Sequence, residues 1–221
     1  MTRTTHIIGV VARKGGAGKT TVAVHLAGAL SSRGYAVALV DADLQGSATH
    51  WGELGQLPFP VHALPLETDS QVAGWSRQVR ELDADLVVID SPPHLNAALG
   101  VVLGLADLVL VPCAASGLDL LATQETLGVV RDVRGVRHGK PRALLVPNRI
   151  DIRTGSGQML PEALKQLGEP VAQSLGNRTA FSDSFNAGQC IGQFAASSVA
   201  FRETDLLALA VLKTLNLEKR T

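Results

Sequence analysis

A glycine-rich stretch that ends in lysine and threonine lies close to the N-terminus of this chain. Glycine lets the backbone turn tightly around an anion, because no Cβ obstructs the peptide N–H groups. In a loop of this kind Lys19 reaches the β- and γ-phosphates of a nucleotide, and the Thr20 hydroxyl binds Mg²⁺. The sequence therefore predicts a phosphate-binding loop. The residues expected to surround the phosphates are Gly15, Gly16, Ala17, Gly18, Lys19, Thr20 and Thr21.

The segments on either side have the order that such a loop requires. An apolar, β-branched run over 7–11 predicts a strand, and the apolar spacing over 22–32 predicts a helix that Gly34 ends. Strand, glycine-rich turn and helix together let the loop and the helix N-terminus point their N–H groups at one anion. The alternative is a plain glycine-rich turn with incidental lysines.

Two later strands are predicted to end in carboxylates. The run 36–40 is followed by Asp41 and Asp43, and the run 86–89 is followed by Asp90. Ligands of α/β sheets bind at the carboxyl ends of the strands, so these side chains are expected near the loop. A carboxylate in the position of Asp90 holds Mg²⁺ through a water in the Walker B pattern. Polar loops after buried strands are the alternative.

The loop departs from the ordinary pattern G-x-x-x-x-G-K-[ST], because Arg13 stands at the first glycine and Lys14 lies inside the loop. K-G-G-x-G-K-T-T is the deviant Walker A motif, and with it the sequence resembles the ParA/MinD family of ATPases. The resemblance implies ATP and Mg²⁺ as cofactors and an ATP-dependent sandwich homodimer. It also implies that Lys14 crosses to the nucleotide of the other subunit.

The same resemblance assigns roles to the strand-end residues. The segment 41–46 matches the family's switch I, D-x-D-x-Q-G, except for Leu44, and 90–93 matches its switch II, D-x-P-P. In the family the second aspartate, here Asp43, helps position the attacking water, and the first supports Mg²⁺ and the loop. The resemblance thus implies Lys14, Lys19 and Asp43 as catalytic residues and Thr20, Asp41 and Asp90 as the metal site.

A third strand, predicted over 143–146, precedes Asn148 and Arg149. In the family an N-R pair at this place lies against adenine, with the Asn amide bonding the base and the Arg side chain packing on it. Asn148 and Arg149 are therefore expected to contact adenine, and a polar loop is the alternative. The segment 177–181 resembles the family's R-x-A-F segment.

The composition indicates one α/β domain. The chain has 221 residues, enough for a sizeable core. We expect a single P-loop domain over 1–221, with a mostly parallel β-sheet and helices on both faces. Twenty Lys and Arg balance twenty Asp and Glu. This balance excludes a strongly basic nucleic-acid coat, so that any DNA contact must use a local patch.

Other features predict a cytoplasmic protein without stable membrane insertion. Cys113 and Cys190 lie far apart with no metal-like spacing, which favours a reducing compartment. The polar start, 1–6, is unlike a signal peptide, and no apolar run is long enough to span a bilayer. The tail 216–221 is too short and too poor in apolar residues for a membrane helix of its own, and no helix-turn-helix domain precedes the first strand.

The expected function is that of a ParA-like ATPase whose hydrolysis is slow and stimulated by a partner. The resemblance implies nucleoid association through nonspecific DNA, and movement of plasmid DNA, chromosome DNA or other cargo. The partner would be a ParB-like or other small DNA-binding or cargo-adaptor protein. Two alternatives are a membrane-recruited, MinD-like regulator and a metabolic P-loop enzyme. The metabolic enzyme would be a dethiobiotin synthetase relative or a metal-cluster carrier. A carrier would need a paired-cysteine motif, which the sequence lacks.

The residues that would contact DNA are basic and scattered. The region 131–142 is an alternative patch, for which a solvated helix-to-strand turn is the favoured interpretation. The candidate DNA contacts are Arg178, Arg202, Lys213, Lys219 and Arg220.

Overall fold

The strands form one six-stranded sheet, in the order β3-β2-β4-β1-β5-β6. This computed structural model describes residues 4–66, 72–93 and 97–217. Each pairing between neighbouring strands is parallel, which confirms the predicted sheet. The strands are β1 His6–Val10, β2 Val37–Asp41, β3 Val61–Ala63, β4 Leu86–Asp90, β5 Leu108–Cys113 and β6 Arg142–Pro147.

Helices cover both faces of the sheet, as predicted. Side chains alternate between the faces along a strand, so Ile7 joins the apolar cluster on one side and Ile8 the cluster on the other. The first cluster includes residues of α3 to α6, and the second includes residues of α1, α2 and α9. The helices are α1 Lys19–Ser32, α2 Ser47–Glu53, α3 Val72–Arg80, α4 Ala97–Leu105, α5 Gly117–Val136, α6 Gly155–Lys165, α7 Thr179–Asn186, α8 Ile191–Phe194 and α9 Val199–Leu215.

Helix α1 differs from the prediction in two respects. It begins at Lys19 rather than Val22, because Gly18 at its N-cap already has left-handed backbone angles. Its residues 22–30 are all buried rather than apolar on one face, since α1 packs on β2 and β4 and is also covered by α8 and α9. Serine is a preferred helix N-cap, and Ser70, which the sequence indicates as the cap of the third helix, lies outside the described residues.

The basic residues between α5 and β6 are engaged within the fold. Arg134 makes a bidentate pair with Glu169, at 2.9 and 3.2 Å. Arg137 donates to two carbonyls at the end of α4, at 2.8 and 2.6 Å, and Lys140 donates to Asp107 at 2.7 Å. These contacts fasten α5 and the following turn to their neighbours, so this patch has a structural role.

Within the described residues, no helix combines the length and apolar character needed to cross a bilayer. Cys113 and Cys190 are free thiols, and both are buried.

Candidate nucleotide-binding site

The glycine-rich loop connects β1 to α1 at the carboxyl edge of the sheet. Gly16 and Gly18 have φ angles of 78° and 87°, which L side chains rarely adopt. A Cβ on Gly18 would also lie 2.4 Å from Nδ2 of Asn148. Both backbone angle and space therefore require glycine at position 18.

Asn148, the predicted adenine contact at the end of β6, is buried and bound to this loop. Its Nδ2 donates to the carbonyl oxygen of Ala17 at 2.8 Å. This bond fixes the direction of the amide, so Oδ1 is the atom that remains to accept from a ligand. Arg149, the next residue, is exposed and has a positive φ of 55°.

Asp90 and Asp41 lie side by side, because they are register partners at the ends of β4 and β2. The Thr20 hydroxyl donates to Oδ2 of Asp90 at 2.6 Å, whereas the buried Oδ1 of Asp90 has no hydrogen-bond partner among the described residues. Burial raises the pKa of the Asp90 carboxyl to about 7, against the effects of Thr20 and Lys19. Burying a charge is costly unless it is paired, so this oxygen is suited to binding a cation.

The residues around Asp90 fit Mg²⁺ that arrives with a nucleotide. Mg²⁺ prefers oxygen ligands and usually binds one or two carboxylates together with phosphates and waters. Thr20 and Asp90 supply such oxygens. In the described part of the chain, no group of three or more His, Cys, Asp or Glu residues is placed to hold a metal by itself. These residues therefore suit an ion that they share with a bound nucleotide better than an ion held by the protein alone.

Asp41 is engaged by the segment that follows it. Its Oδ2 accepts from the backbone N–H and the hydroxyl of Thr49, at 2.7 and 2.9 Å. Its Oδ1 accepts from the N–H of Asp43 at 3.2 Å. Asp41 thus organises the turn between β2 and α2, and its contact with a metal stays a prediction. Asp43 is half-buried, and its Oδ1 accepts from the N–H of Gln45 at 3.0 Å.

The two lysines of the loop have different surroundings. Lys19 is buried, and burial lowers its pKa, while the negative charges of Asp90 and Asp43 oppose that shift. Lys14 lies on the other side of the loop, where its Nζ donates to Asp119 of α5 at 2.8 Å. The structure therefore aims Lys19, but not Lys14, at the phosphate region of its own subunit.

A cavity of about 890 Å³ joins most of the predicted residues. Of the predicted site, Lys14, Ala17, Asp41 and Asp90 are not part of its surface. The predicted residues that line it are Gly15, Gly16, Gly18, Lys19, Thr20, Thr21, Asp43, Asn148 and Arg149. The others are Gln45, Ser47, His50, Trp51, Pro93, Gly176, Asn177, Arg178, Phe181, Ser182, Phe185 and Asn186.

The wall formed by α2 and α7 is aromatic and was not predicted. Trp51 packs edge-on against Phe185 and His25, with ring centroids 5.0 and 5.2 Å apart. Burial lowers the pKa of His25 to about 3, so it stays neutral, with Nδ1 accepting from the N–H of Ile191 at 3.0 Å. Trp51 is itself buried. The R-x-A-F resemblance was the one sequence signal for this wall.

Arg178 was considered as a DNA contact, yet it lines this cavity. Its guanidinium makes two hydrogen bonds with Glu203 of α9, at 2.9 and 2.5 Å. The same carboxylate accepts from the N–H of Gly176 at 3.0 Å. Glu203 thereby orders the segment 176–178 at one end of the cavity, a role that no motif in the sequence indicated.

A parallel α/β sheet with a glycine-rich loop after β1 and carboxylates at the ends of β2 and β4 defines a P-loop nucleotide-binding domain. The chain belongs to the CobQ/CobB/MinD/ParA nucleotide binding domain family, which matches residues 8–191. The resemblance to ParA/MinD ATPases is therefore confirmed, and the chain is an ATPase domain of that type.

Individual relatives cover most of the chain. It is 31% identical over 185 residues to the maintenance of carboxysome distribution protein A of Halothiobacillus neapolitanus, covering 83% of this chain and 85% of the relative. It is 31% identical over 221 residues to the chromosome-partitioning ATPase Soj of Thermus thermophilus, covering 86% and 89%. MinD of Pyrococcus horikoshii, solved with Mg-ADP, has a TM-score of 0.75 at 21% identity, covering 96% and 98%. This last likeness shows the fold alone.

Proposed function

We propose that this chain binds ATP with Mg²⁺, forms a sandwich homodimer in that state, and returns to the monomer after slow hydrolysis to ADP and phosphate. The observation that carries the proposal is the contact of Thr20 with Asp90, at 2.6 Å, beside a carboxylate oxygen that has no partner within residues 4–66, 72–93 and 97–217. Lys19 is buried next to it. Together they form a place for a cation and the phosphates that share it.

Hydrolysis uses residues that line this cavity, together with Asp90, which contacts the lining residue Thr20, and Lys14 of the second copy. The loop N–H groups and Lys19 bind the phosphates and stabilise the charge that develops on them. Thr20 and Asp90 hold Mg²⁺, which supplies positive charge to the phosphate oxygens when it is bound. Asp43 lines the cavity without an ion-pair partner in the described residues, and it orients the attacking water. Lys14 adds a second positive charge from the other subunit.

The base specificity follows from the direction of the Asn148 amide. One N–H of its Nδ2 donates to Ala17 at 2.8 Å, and this orients Oδ1 as the acceptor. An acceptor matches the exocyclic amine of adenine and repels the carbonyl oxygen that guanine carries at the same position. We therefore infer that ATP is preferred over GTP, and that Arg149 packs on the base.

The homodimer is supported by exposed apolar side chains in the segments that follow three of the strands. They lie in the loop after β2, in the first turns of α5 and α6, and in the loop after β6, and each is at least 57% exposed. Exposed apolar side chains on one face indicate an interaction surface. In a symmetric dimer each copy of the chain would bury this surface against the same surface of the other copy. These residues are Leu44, Leu118, Leu121, Ile152 and Met159.

We further propose that the dimer binds DNA without sequence preference and positions cargo with a small adaptor protein that stimulates hydrolysis. Nucleoid association would follow from the DNA binding. The relatives support this class of function, although their names concern different cargo, carboxysomes and chromosomes. Arg202 and Lys213 are exposed along α9 and are the preferred DNA contacts. Lys219 and Arg220 lie outside the described residues.

Retention on two unrelated DNA duplexes tests this proposal, with a non-hydrolysable ATP analogue, with ADP and without nucleotide. We expect retention with the analogue alone, similar on both duplexes and steeply weakened by salt, because phosphate contacts release counterions and read no sequence. Equal retention in all three states would refute the switch. Binding of the analogue state to anionic liposomes, and not to DNA, would favour the MinD-like alternative. Arg202→Gln and Lys213→Gln should weaken retention, and Lys165→Gln on α6 is a matched control.

A further inference from the structure

The extra lysine of the loop is bound to its own subunit. Nζ of Lys14 lies 2.8 Å from Oδ2 of Asp119, whose side chain is 8% exposed, compared with 43% for Lys14. Arg13, the other residue that departs from the ordinary loop, pairs with Glu125 further along α5. Both departures from the ordinary motif are therefore attached to the same helix.

Asp119 keeps other partners if Lys14 moves away. The Ser116 hydroxyl is hydrogen-bonded to its carboxylate, and the N–H of Asp119 donates to Ser116 Oγ at 3.1 Å. Asp119 also lies in the first turn of α5, where the helix dipole stabilises negative charge. The carboxylate would thus keep its hydrogen bond from Ser116, so the ion pair can open without leaving a buried group without a partner.

We propose that Asp119 is a positioning residue that holds Lys14 inside its own subunit until a nucleotide of a second copy replaces it. This inference rests on the proposed ATP-dependent dimer. Lys14 cannot reach outward while Nζ stays 2.8 Å from Asp119. A triphosphate offers the ammonium several charged oxygens in exchange for one carboxylate, whereas a subunit without nucleotide offers none. The contact therefore opposes dimerisation that is not driven by ATP.

The free-energy cost of opening this contact is counted twice in the free energy of dimerisation, because a symmetric dimer uses the lysine of each subunit. Removing the Asp119 charge should therefore tighten the dimer. Asp119→Asn keeps the size and the hydrogen bond to Ser116 but not the ion pair. Glu125→Gln is a matched control, because it removes a carboxylate from the same helix and frees Arg13 instead of Lys14.

The first measurement is made on the nucleotide-free protein. An ammonium that donates to a carboxylate reacts slowly with an acylating reagent, so the acetylation rate of Lys14, followed by peptide mass spectrometry, reports the contact. We expect Lys14 to react several-fold faster in Asp119→Asn than in the wild type or in Glu125→Gln. Equal Lys14 rates in the wild type and Asp119→Asn would overturn the inference.

The second measurement is the dimer dissociation constant by sedimentation equilibrium, with Mg²⁺ and a non-hydrolysable ATP analogue. Two partly exposed ion pairs predict a constant about tenfold lower for Asp119→Asn and little change for Glu125→Gln. Damage to the fold would weaken the dimer instead. If the wild type dimerises and the Asp119→Asn dimer is equally stable or weaker, the role of Asp119 is overturned and the proposed function is not. A wild type that stays monomeric overturns the proposed function as well.

Discussion

The Thr20 hydroxyl donates to Oδ2 of Asp90 at 2.6 Å and so joins α1 to the end of β4 across 70 positions of sequence. The second oxygen of Asp90, Oδ1, is buried and has no hydrogen-bond partner in the part of the chain that the structure describes. The fold has thus left one oxygen of a buried carboxyl group without a partner among the described side chains. Changes at Asp90 should for this reason affect metal-dependent binding more than folding.

Asp90→Asn should keep the hydrogen bond from Thr20 and remove the charge that binds Mg²⁺. We expect the Mg²⁺ dependence of ATP binding to be lost and turnover to fall by about 10²-fold or more. Calorimetric titration of ATP with and without Mg²⁺, together with phosphate release, measures both. The control is Asp132→Asn, the same exchange on the exposed face of α5. Turnover of Asp90→Asn near the wild-type rate would show that the residue does not support the metal.

The raised pKa of Asp90 predicts how stability depends on pH without nucleotide. Its folded pKa of about 7 lies above the ordinary value of 3.8. The neutral acid is therefore favoured in the folded state, and this contribution is complete below about pH 4 and lost as the pH rises through 7. Between pH 5 and 8 the melting temperature should fall more for the wild type than for Asp90→Asn. Parallel melting curves for the two proteins would contradict the shift.

Asp43→Ala should separate hydrolysis from binding. Asp43 lines the cavity but is not part of the phosphate loop, so ATP affinity and dimerisation should change little. Turnover should fall by about 10²-fold, the loss typical of a removed general base or water-positioning group. Measured turnover within a few-fold of wild type, on the order of 1 kcal/mol in barrier, would show that another residue positions the water.

Asn148→Ala should weaken ATP binding and reduce the preference for ATP over GTP. The change removes both the predicted acceptor for adenine and the bond from Nδ2 to Ala17. One lost hydrogen bond of this kind corresponds to about 1 kcal/mol. Competition of ATP and GTP for a fluorescent nucleotide gives both affinities. An unchanged preference in a folded variant would place the base elsewhere.

Motifs and hydrophobic periodicity were sufficient to predict the phosphate-binding loop and the ends of the parallel strands. The loop over 13–21 and the strand-end aspartates were located correctly, because a buried apolar run followed by Asp indicates where a parallel strand ends. The continuous burial of α1 was not predicted, since its second cover, α9, is distant in sequence. The engagement of Arg134 with Glu169 likewise depends on packing between separate elements.

The contact of Lys14 with Asp119 was also missed, although a local signal existed. Ser116 and Asp119 have the spacing of a helix-capping motif, and this predicts the start of α5. The pairing of this carboxylate with Lys14 depends on how α5 packs beside the loop, because the two residues are 105 positions apart in sequence. Neither propensity nor periodicity carries that information.

The measurement that tests the central claim most directly is the molar mass of the protein by light scattering, with Mg²⁺ and a non-hydrolysable ATP analogue. We predict the mass of two chains with the analogue and of one chain, 23.1 kDa, with ADP or without nucleotide. Lys19→Ala should bind no nucleotide tightly and remain monomeric, and Lys14→Ala should bind nucleotide but remain monomeric. A wild type with the mass of one chain in all three states, or a Lys14→Ala dimer of normal stability, would contradict the account.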